Sequence, residues 1–228
     1  MKNCFLTSLV ILTIFLVSMI TGCGPVKDED SPEGLTALAE NAFNRGDISE
    51  SLRYYAKAIE DFPENPLYSS WQLGRGRSFL AIDRYEEASD AASQALHSAI
   101  DSHGKAVAML LMSEIEIEQG SYRNSIEVLS NMQQDHLDRT ESESAVELIR
   151  FALGKMDMSF LTAEPGAGWT EVFFLLELEK RYAAEGNNER AVLTGRHDLV
   201  DLVEEDVLDV RLLQEDLQRV PIESALAD

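Results

Sequence analysis

Cysteines and histidines, which often act as nucleophiles or metal ligands, are few in this chain and stand far apart. Its two cysteines, Cys4 and Cys23, both lie within the first 23 residues. No two histidines have the four-residue spacing with which a helix binds zinc, and they occur at His97, His103, His136 and His197. Catalysis needs titratable groups that converge on one point. The sequence therefore predicts no enzyme, no cofactor and no metal site.

The segment Gly74-Arg75-Gly76-Arg77 is superficially like a phosphate-binding loop. Such a loop follows a strand and needs a further glycine and a Lys-Ser/Thr pair, which bind the phosphates. None of these accompanies the segment, which lies within a helical pattern of apolar residues. We therefore predict that Gly76 is a small packing residue where two helices meet.

The first 23 residues have the pattern of an export signal. Lys2 precedes an uncharged apolar run, 5–20, which is shorter than the about 20 residues that a membrane-spanning helix needs. A run of this kind, with a basic start and small residues at its end, marks a signal that is removed. Its end, Ile20-Thr21-Gly22-Cys23, resembles the lipobox of bacterial lipoproteins, which implies cleavage before Cys23 and attachment of lipid to its sulfur. The alternative is a short signal anchor that stays in the membrane.

The chain is strongly acidic, because 41 Asp and Glu residues against 19 Lys and Arg residues give a formal net charge of -22. Nucleic-acid affinity rests on Lys and Arg that neutralise phosphates, so nucleic acid is an unsuitable partner. Residues 23–32 contain two prolines and three carboxylates, which predicts a flexible tether after the lipid anchor. We expect a bacterial membrane lipoprotein that faces the periplasm. In the sorting pattern of enterobacterial lipoproteins, Gly24 in place of aspartate favours the outer membrane.

Three segments of the chain, 46–52, 83–89 and 120–126, align at a constant offset of 37 residues. Each begins with a turn, continues with an aromatic or branched residue, and has a small residue three positions later. The branched or aromatic residues are Ile48, Tyr85 and Tyr122, and the small residues are Ser51, Ala88 and Ser125. Apolar residues elsewhere recur at intervals of three and four, which is typical of helices that pack on one face.

At these residues the chain resembles the tetratricopeptide repeat (TPR) family, whose unit is a pair of antiparallel helices. The first block fits best, whereas the second has Asp83 at its turn and the third has Met132 where alanine is usual. The resemblance implies an all-α, TPR-like helical-hairpin solenoid with a C-terminal helical extension. We divide the chain into a signal peptide at 1–22, a lipidated cysteine and tether at 23–32, three repeats at 33–136, a capping helix at 137–161 and a C-terminal helical region at 162–228. Whether 172–197 is a degenerate fourth repeat is left open.

In TPR arrays the first helix of each pair lines a binding groove. The resemblance places in that groove Thr36, Glu40, Asn44, Leu73, Arg77, Leu110, Glu114 and Ile117. Such a mixed apolar and acidic surface favours basic or apolar peptide segments of a protein partner, and Thr36 and Glu40 do not suit the clamping of a terminal carboxylate. The function implied is a non-catalytic interaction scaffold in bacterial cell-envelope assembly. The alternative at these positions is burial between repeats, without a partner.

A competing function is structural. Residues 198–220 carry a stripe of apolar residues on an otherwise acidic segment, which contains ten carboxylates and two arginines between Asp198 and Asp228. A stripe of this length can pack against the array, or it can join two copies of the chain. The second case would make the protein a homo-oligomer of the envelope.

Overall fold

A computed structural model describes residues 29–132, 137–163 and 170–186 of the chain. These residues contain nine α-helices and no β-strand, so the prediction of an all-α protein is confirmed. The predicted signal peptide, Cys23, most of the tether and the 198–220 stripe lie outside the described residues. The helices are α1 (Pro32–Asn44), α2 (Ile48–Asp61), α3 (Tyr68–Leu80), α4 (Tyr85–Ser98), α5 (Ser102–Glu118), α6 (Tyr122–Ser130), α7 (Arg139–Lys155), α8 (Met158–Ala163) and α9 (Glu171–Ala184).

Short polar residues determine where several of these helices begin. The side chain of Ser31 accepts a hydrogen bond from the backbone N–H of Gly34, and Pro32 follows at the first helical position of α1. Asp47 and Asp101 cap α2 and α5 in the same way. These caps satisfy backbone N–H groups that have no partner within the helix, and each contributes about 1 kcal/mol.

The turns inside the hairpins share one backbone conformation. Gly46 and Gly120 have φ angles of 79° and 77°, and Asp83, at the equivalent position of the second block, has a φ of 58°. Glycine adopts this left-handed region at little cost, and aspartate tolerates it better than most residues do. Asp83 therefore replaces the expected glycine without changing the turn. Gly186, two residues after α9, has a φ of 75°, but the segment that would complete a fourth repeat lies outside the described residues.

The helices pack as consecutive hairpins, α1 with α2, α3 with α4, and α5 with α6. The odd-numbered helices also contact one another in order, from α1 to α3, α5 and α7. They therefore form one side of the array, which we call the odd-helix face. This arrangement confirms the predicted helical-hairpin solenoid.

Three apolar cores follow one another along the array. The first joins α1, α2 and α3 around Trp71, and the second joins α3, α4 and α5 around Leu111. The third extends from α5 through α9 without a break and contains Ile126, Leu129, Ile149, Leu153, Leu161 and Phe173. The predicted capping segment thus shares its core with both the third repeat and the helices that follow it.

The N-terminal end of the array extends into the predicted tether. The tether was expected to extend to residue 32, but Pro32 is already the first residue of α1, and Glu29 lies against α2. There Tyr54 Oη donates to Glu29 Oε1 at 3.5 Å, and Lys57 Nζ donates to the Glu29 carbonyl at 2.8 Å.

Candidate partner-binding groove

The odd-helix face carries the residues that the sequence placed in a groove. Four of them are exposed, namely Glu40, Asn44, Arg77 and Glu114, and two are partly buried, namely Thr36 and Leu110. Leu73 and Ile117 are only 9% and 8% exposed. Since a partner side chain needs accessible surface to pack on, the polar residues dominate what this face presents.

At Leu73 and Ile117 the alternative interpretation therefore applies, namely burial between repeats without a partner. Leu73 packs in the second core with Ala88 and Leu111. Sequence spacing identified the correct helix for each residue. It did not separate the outer edge of that helix from the side that touches the next hairpin.

Thr36 has a structural task on the odd-helix face. Its hydroxyl accepts a hydrogen bond from the indole N–H of Trp71 at 2.6 Å and donates to the Pro32 carbonyl at 2.7 Å. Trp71 is fully buried, and a buried indole N–H needs an acceptor. Thr36 thus ties α1 to α3, and its hydroxyl is already committed to this contact.

Tyr55 is a residue of this site that the groove prediction missed. It comes from α2 and packs so closely on α3 that a Cβ added to Gly74 would lie 2.2 Å from Tyr55 Cζ. Burial and, to a smaller extent, the carboxylate of Glu40 raise the pKa of Tyr55 to about 12, and the guanidinium of Arg77 opposes this rise. The phenol therefore lies within the fields of two predicted groove residues. In the sequence, Gly74 indicates that another residue approaches α3 closely. It does not indicate that this residue is Tyr55.

Arg77 also influences Glu114, a second exposed carboxylate of the face. Glu114 is exposed as a residue, but desolvation at its carboxyl raises its pKa, while Arg77 lowers it and Glu118 raises it. Arg77 thus acts on Tyr55 on one side and on Glu114 on the other. We call Glu40, Arg77 and Glu114 the charged row. Within the part of the chain that the structure describes, the Arg77 guanidinium forms no hydrogen bond or ion pair.

The charged row alternates in sign along the odd-helix face. It places one guanidinium between two carboxylates on three successive odd helices, with Leu110 half-buried nearby on α5. Groups of alternating charge along a groove orient a charged segment and discriminate against segments of the wrong sign. No pair of these groups is arranged as nucleophile and base.

A second cluster of polar groups was invisible to the sequence analysis, because its members are far apart in the chain. The Nδ1 atom of His103 on α5 contacts the Glu141 carboxylate on α7, and Asp138 lies beside them. Potential ligand atoms of the three side chains lie within 4.8 Å of one another. However, Asp138 Oδ1 accepts from the Glu141 N–H at 2.8 Å, and Glu141 Oε2 accepts from the Asp138 N–H at 2.9 Å. These oxygens form the capping box of α7, so the cluster explains how α7 begins against α5.

None of the described helices combines the length and the apolar character that crossing a membrane requires. No family model matches the chain. One similar solved structure contains the nearly identical TPR-like repeats of a Podosopora anserina protein assigned as a kinesin light chain. The two are 16% identical, with a TM-score of 0.45 over 84% of this chain and 98% of that chain. The class of the present protein, an all-α array of helical hairpins, rests on its own helix packing.

Proposed function

We propose that this protein is a non-catalytic scaffold that binds a protein partner on its odd-helix face. Arrays of helical hairpins generally use such extended surfaces for binding. The observation that carries the proposal is the charged row, where Arg77 stands between Glu40 and Glu114 without an ion pair among the described residues. The two carboxylates favour a segment with basic side chains, and the half-buried Leu110 offers an apolar contact.

The energetics of such a surface favour specificity over strength. Exposed charge pairs contribute about 0.2–1 kcal/mol each, so the row accelerates and orients the encounter more than it tightens the complex. A partner with apolar anchors would add affinity only at positions such as Leu110, because Leu73 and Ile117 are covered by the chain itself. We therefore expect a transient complex.

The test is crosslinking mass spectrometry on the native protein in its own membranes. In a Glu40→Lys, Glu114→Lys variant, crosslinks to the partner should be lost, because the two lysines that replace the carboxylates of the charged row repel a basic segment. Asp90→Lys provides the matched control, since Asp90 is an exposed carboxylate on α4, outside the odd-helix face. Partners that persist equally in both variants would refute the odd-helix face as the binding site.

We also propose that the array is held at a bacterial membrane by lipid on Cys23 and faces the periplasm, with the outer membrane favoured. Residues 24–28 are all that separates the proposed lipid from Glu29, which contacts α2. Five extended residues reach at most about 18 Å, so the first hairpin would stay near the bilayer surface. A partner confined to the same membrane would meet the charged row at a raised effective concentration. A role in cell-envelope assembly follows from this location.

Lipidation is tested separately from binding. Mass spectrometry of the mature N-terminus should find a lipid-modified Cys23 and no residues from 1–22. A Cys23→Ser variant should remain unprocessed and without lipid. An unmodified Cys23 in the wild-type protein, or a signal segment retained with it, would support the signal-anchor alternative and leave the groove test unaffected.

A further inference from the structure

Two hydrogen-bond donors at the charged row are not used by their neighbours. Arg77 is exposed on α3, and among the described residues its guanidinium forms no hydrogen bond or ion pair. The hydroxyl of Tyr55, on α2, has no hydrogen-bond partner in that part of the chain either, although this side chain is only 6% exposed. A buried polar group without a partner is uncommon in proteins and needs an explanation. The two unused donors therefore indicate a ligand that accepts hydrogen bonds.

These two donors lie about one helical turn apart along α3. The end of the Tyr55 ring that carries the hydroxyl lies directly over Gly74, and Arg77 follows Gly74 by three residues. Side chains three residues apart on a helix are neighbours on its surface. Burial raises the pKa of the Tyr55 phenol to about 12, and the Arg77 guanidinium opposes this rise. The hydroxyl thus keeps its proton at neutral pH and can donate a hydrogen bond to an anion beside Arg77.

A carboxylate suits this pair of donors. A guanidinium binds a carboxylate through two parallel hydrogen bonds, and a phenol can donate a further bond to the same group. On either side of Arg77 the charged row is negative, with Glu40 on α1 and Glu114 on α5. Neither of these carboxylates forms a hydrogen bond or ion pair with another described residue. The row is therefore complementary to an acidic group flanked by two basic groups.

The repeat determines how far apart the three charges of the ligand must be. Glu40, Arg77 and Glu114 occupy the same position of successive repeats, at the constant offset of 37 residues, and their helices contact one another in order. Packed helices have axes about 8–10 Å apart. A peptide in the polyproline II conformation completes a turn every three residues, and its side chains on one side are therefore about 9 Å apart. The spacing of the row thus corresponds to every third residue of such a peptide.

We propose that the partner presents to the odd-helix face a segment in the polyproline II conformation with the pattern basic-x-x-acidic-x-x-basic. Its acidic side chain accepts hydrogen bonds from Arg77 and from the Tyr55 hydroxyl, while its two basic side chains pair with Glu40 and Glu114. This inference rests on the proposed scaffold function and names the segment that the scaffold recognises. The acidic residue supplies the specificity, because a purely basic segment leaves both donors unpaired.

The experiment compares the binding of three fluorescent peptides to the complete protein, purified in a non-ionic detergent, by fluorescence anisotropy. The first peptide, Lys-Pro-Ser-Glu-Pro-Ser-Lys with both ends blocked, has the proposed pattern, and its prolines favour the polyproline II conformation. The second has Gln in place of Glu. The third, Lys-Pro-Glu-Ser-Pro-Ser-Lys, has the same composition as the first, but its Glu is shifted by one residue and points away from the side that carries the lysines.

The first peptide should bind about tenfold more tightly than either of the others, because only it pairs a carboxylate with the two donors. General electrostatic attraction to a chain with a net charge of -22 has the opposite effect, since the Gln peptide is the most basic of the three. A preference for the Glu peptide over the Gln peptide therefore requires a local cation. This comparison uses the unsubstituted protein, so it does not depend on whether any variant folds.

Substitutions then locate that cation. Arg77→Gln should abolish the preference for the first peptide over the Gln peptide, and Tyr55→Phe, which keeps the ring over Gly74, should reduce it about threefold. Arg45→Gln is the matched control, because Arg45 is an exposed arginine at the turn after α1, and it should leave the preference unchanged. The preference is a ratio of two affinities within one variant, so a partial loss of folding lowers both affinities and leaves the ratio intact.

Equal binding of the Glu and Gln peptides would overturn the inference, as would a preference that survives in Arg77→Gln. A shifted peptide that binds as tightly as the first would exclude the three-residue spacing, and failure of all three peptides to bind would exclude the pattern itself. Each of these results leaves the proposed scaffold function standing. The crosslinking experiment with Glu40→Lys, Glu114→Lys decides that function separately.

Discussion

The second and third repeats differ in how their two helices cross at equivalent positions. In the second repeat, Gly76 faces Ala88, and a Cβ added at Gly76 would lie 2.9 Å from Leu111 Cδ2 and 3.4 Å from the Ala88 carbonyl. In the third repeat, 37 residues later, the buried hydroxyls of Ser113 and Ser125 meet at 2.7 Å. One crossing is close and apolar, and the other is joined by a hydrogen bond. The residues at these equivalent positions are thus small in both repeats, but they differ in polarity.

The same contrast extends to glycines within the helices. Gly74 lies on α3, and Tyr55 of the preceding repeat packs directly on it. In contrast, a Cβ added to Gly154 on α7 would have no atom within 4 Å. A glycine inside a helix costs about 0.5–1 kcal/mol relative to alanine. Packing explains this cost at Gly74 and Gly76, and nothing in the structure explains it at Gly154.

The largest expected effect is that of Gly76→Leu. The close crossing has no room for the side chain, so the helices must separate, and we expect the free energy of unfolding to fall by about 3 kcal/mol. Urea denaturation followed by circular dichroism measures it. Gly154→Leu is the matched control and should not lower stability, because an added Cβ meets no atom there and leucine favours a helix over glycine. Equal effects at the two sites would contradict the close crossing.

A smaller loss is expected for Gly74→Ala. The new methyl group displaces the Tyr55 ring, and although alanine favours the helix, we expect a net loss of about 1–2 kcal/mol. Gly154→Ala should instead stabilise the protein by about 0.5–1 kcal/mol, because it gains helix propensity without a clash. The two denaturation midpoints should therefore move in opposite directions. A gain at both positions would show that Tyr55 does not depend on Gly74.

Ser113→Ala should cost about 1 kcal/mol, since it leaves the buried Ser125 hydroxyl without its partner. Removing both hydroxyls in Ser113→Ala, Ser125→Ala should recover most of that loss, because no polar group is then stranded. A double-mutant cycle of unfolding free energies measures the coupling. If the double variant loses the sum of two single costs, the hydroxyls act independently and the contrast between the repeats disappears.

The smallest effect is the ionisation of Tyr55, which matters only at alkaline pH. It is confined to the first two repeats, because the positions equivalent to Tyr55 are Ala92 and Leu129. The pKa of Tyr55 is raised to about 12, above the ordinary value near 10. Its contribution to stability is therefore complete below about pH 10 and is lost as the pH rises toward 12.

Tyrosinate absorbance should show this late ionisation, and Tyr55→Phe should remove it together with the matching loss of stability. Arg77→Gln should raise the pKa of Tyr55 further, whereas Glu40→Gln should lower it. A Tyr55 that ionises at its ordinary pKa in the folded chain would place the phenol in water and separate it from the charged row.

Much of the architecture was predictable because periodic packing leaves a periodic sequence. The 37-residue register identified the three hairpins, and Gly76 was correctly predicted as a packing residue. Asp83 shows why the register is more reliable than any single residue, since the left-handed turn persists without glycine. The register could not tell that Leu73 is buried by the next hairpin, because both edges of a helix carry the same spacing of apolar residues.

Contacts between distant segments escaped the sequence analysis for a physical reason. His103 and Glu141 meet because α7 packs against α5, and nothing local in either segment encodes that meeting. Tyr55 likewise belongs to the candidate site through its neighbours Gly74 and Arg77, on a helix that the groove prediction left out. The repeats predict which helices are adjacent. They do not predict which side chains meet between those helices, and this becomes visible only in the structure.

The contact of Glu29 with Tyr54 and Lys57 has a mechanical consequence. A force applied to the chain before residue 29 loads this contact first and the first hairpin next, while the later hairpins bear little of it. Each hairpin is stabilised mainly by its neighbours, so the array would come apart one hairpin at a time from its N-terminal end. Under tension the molecule would therefore lengthen in steps, and its third core, from α5 to α9, would be the last to yield.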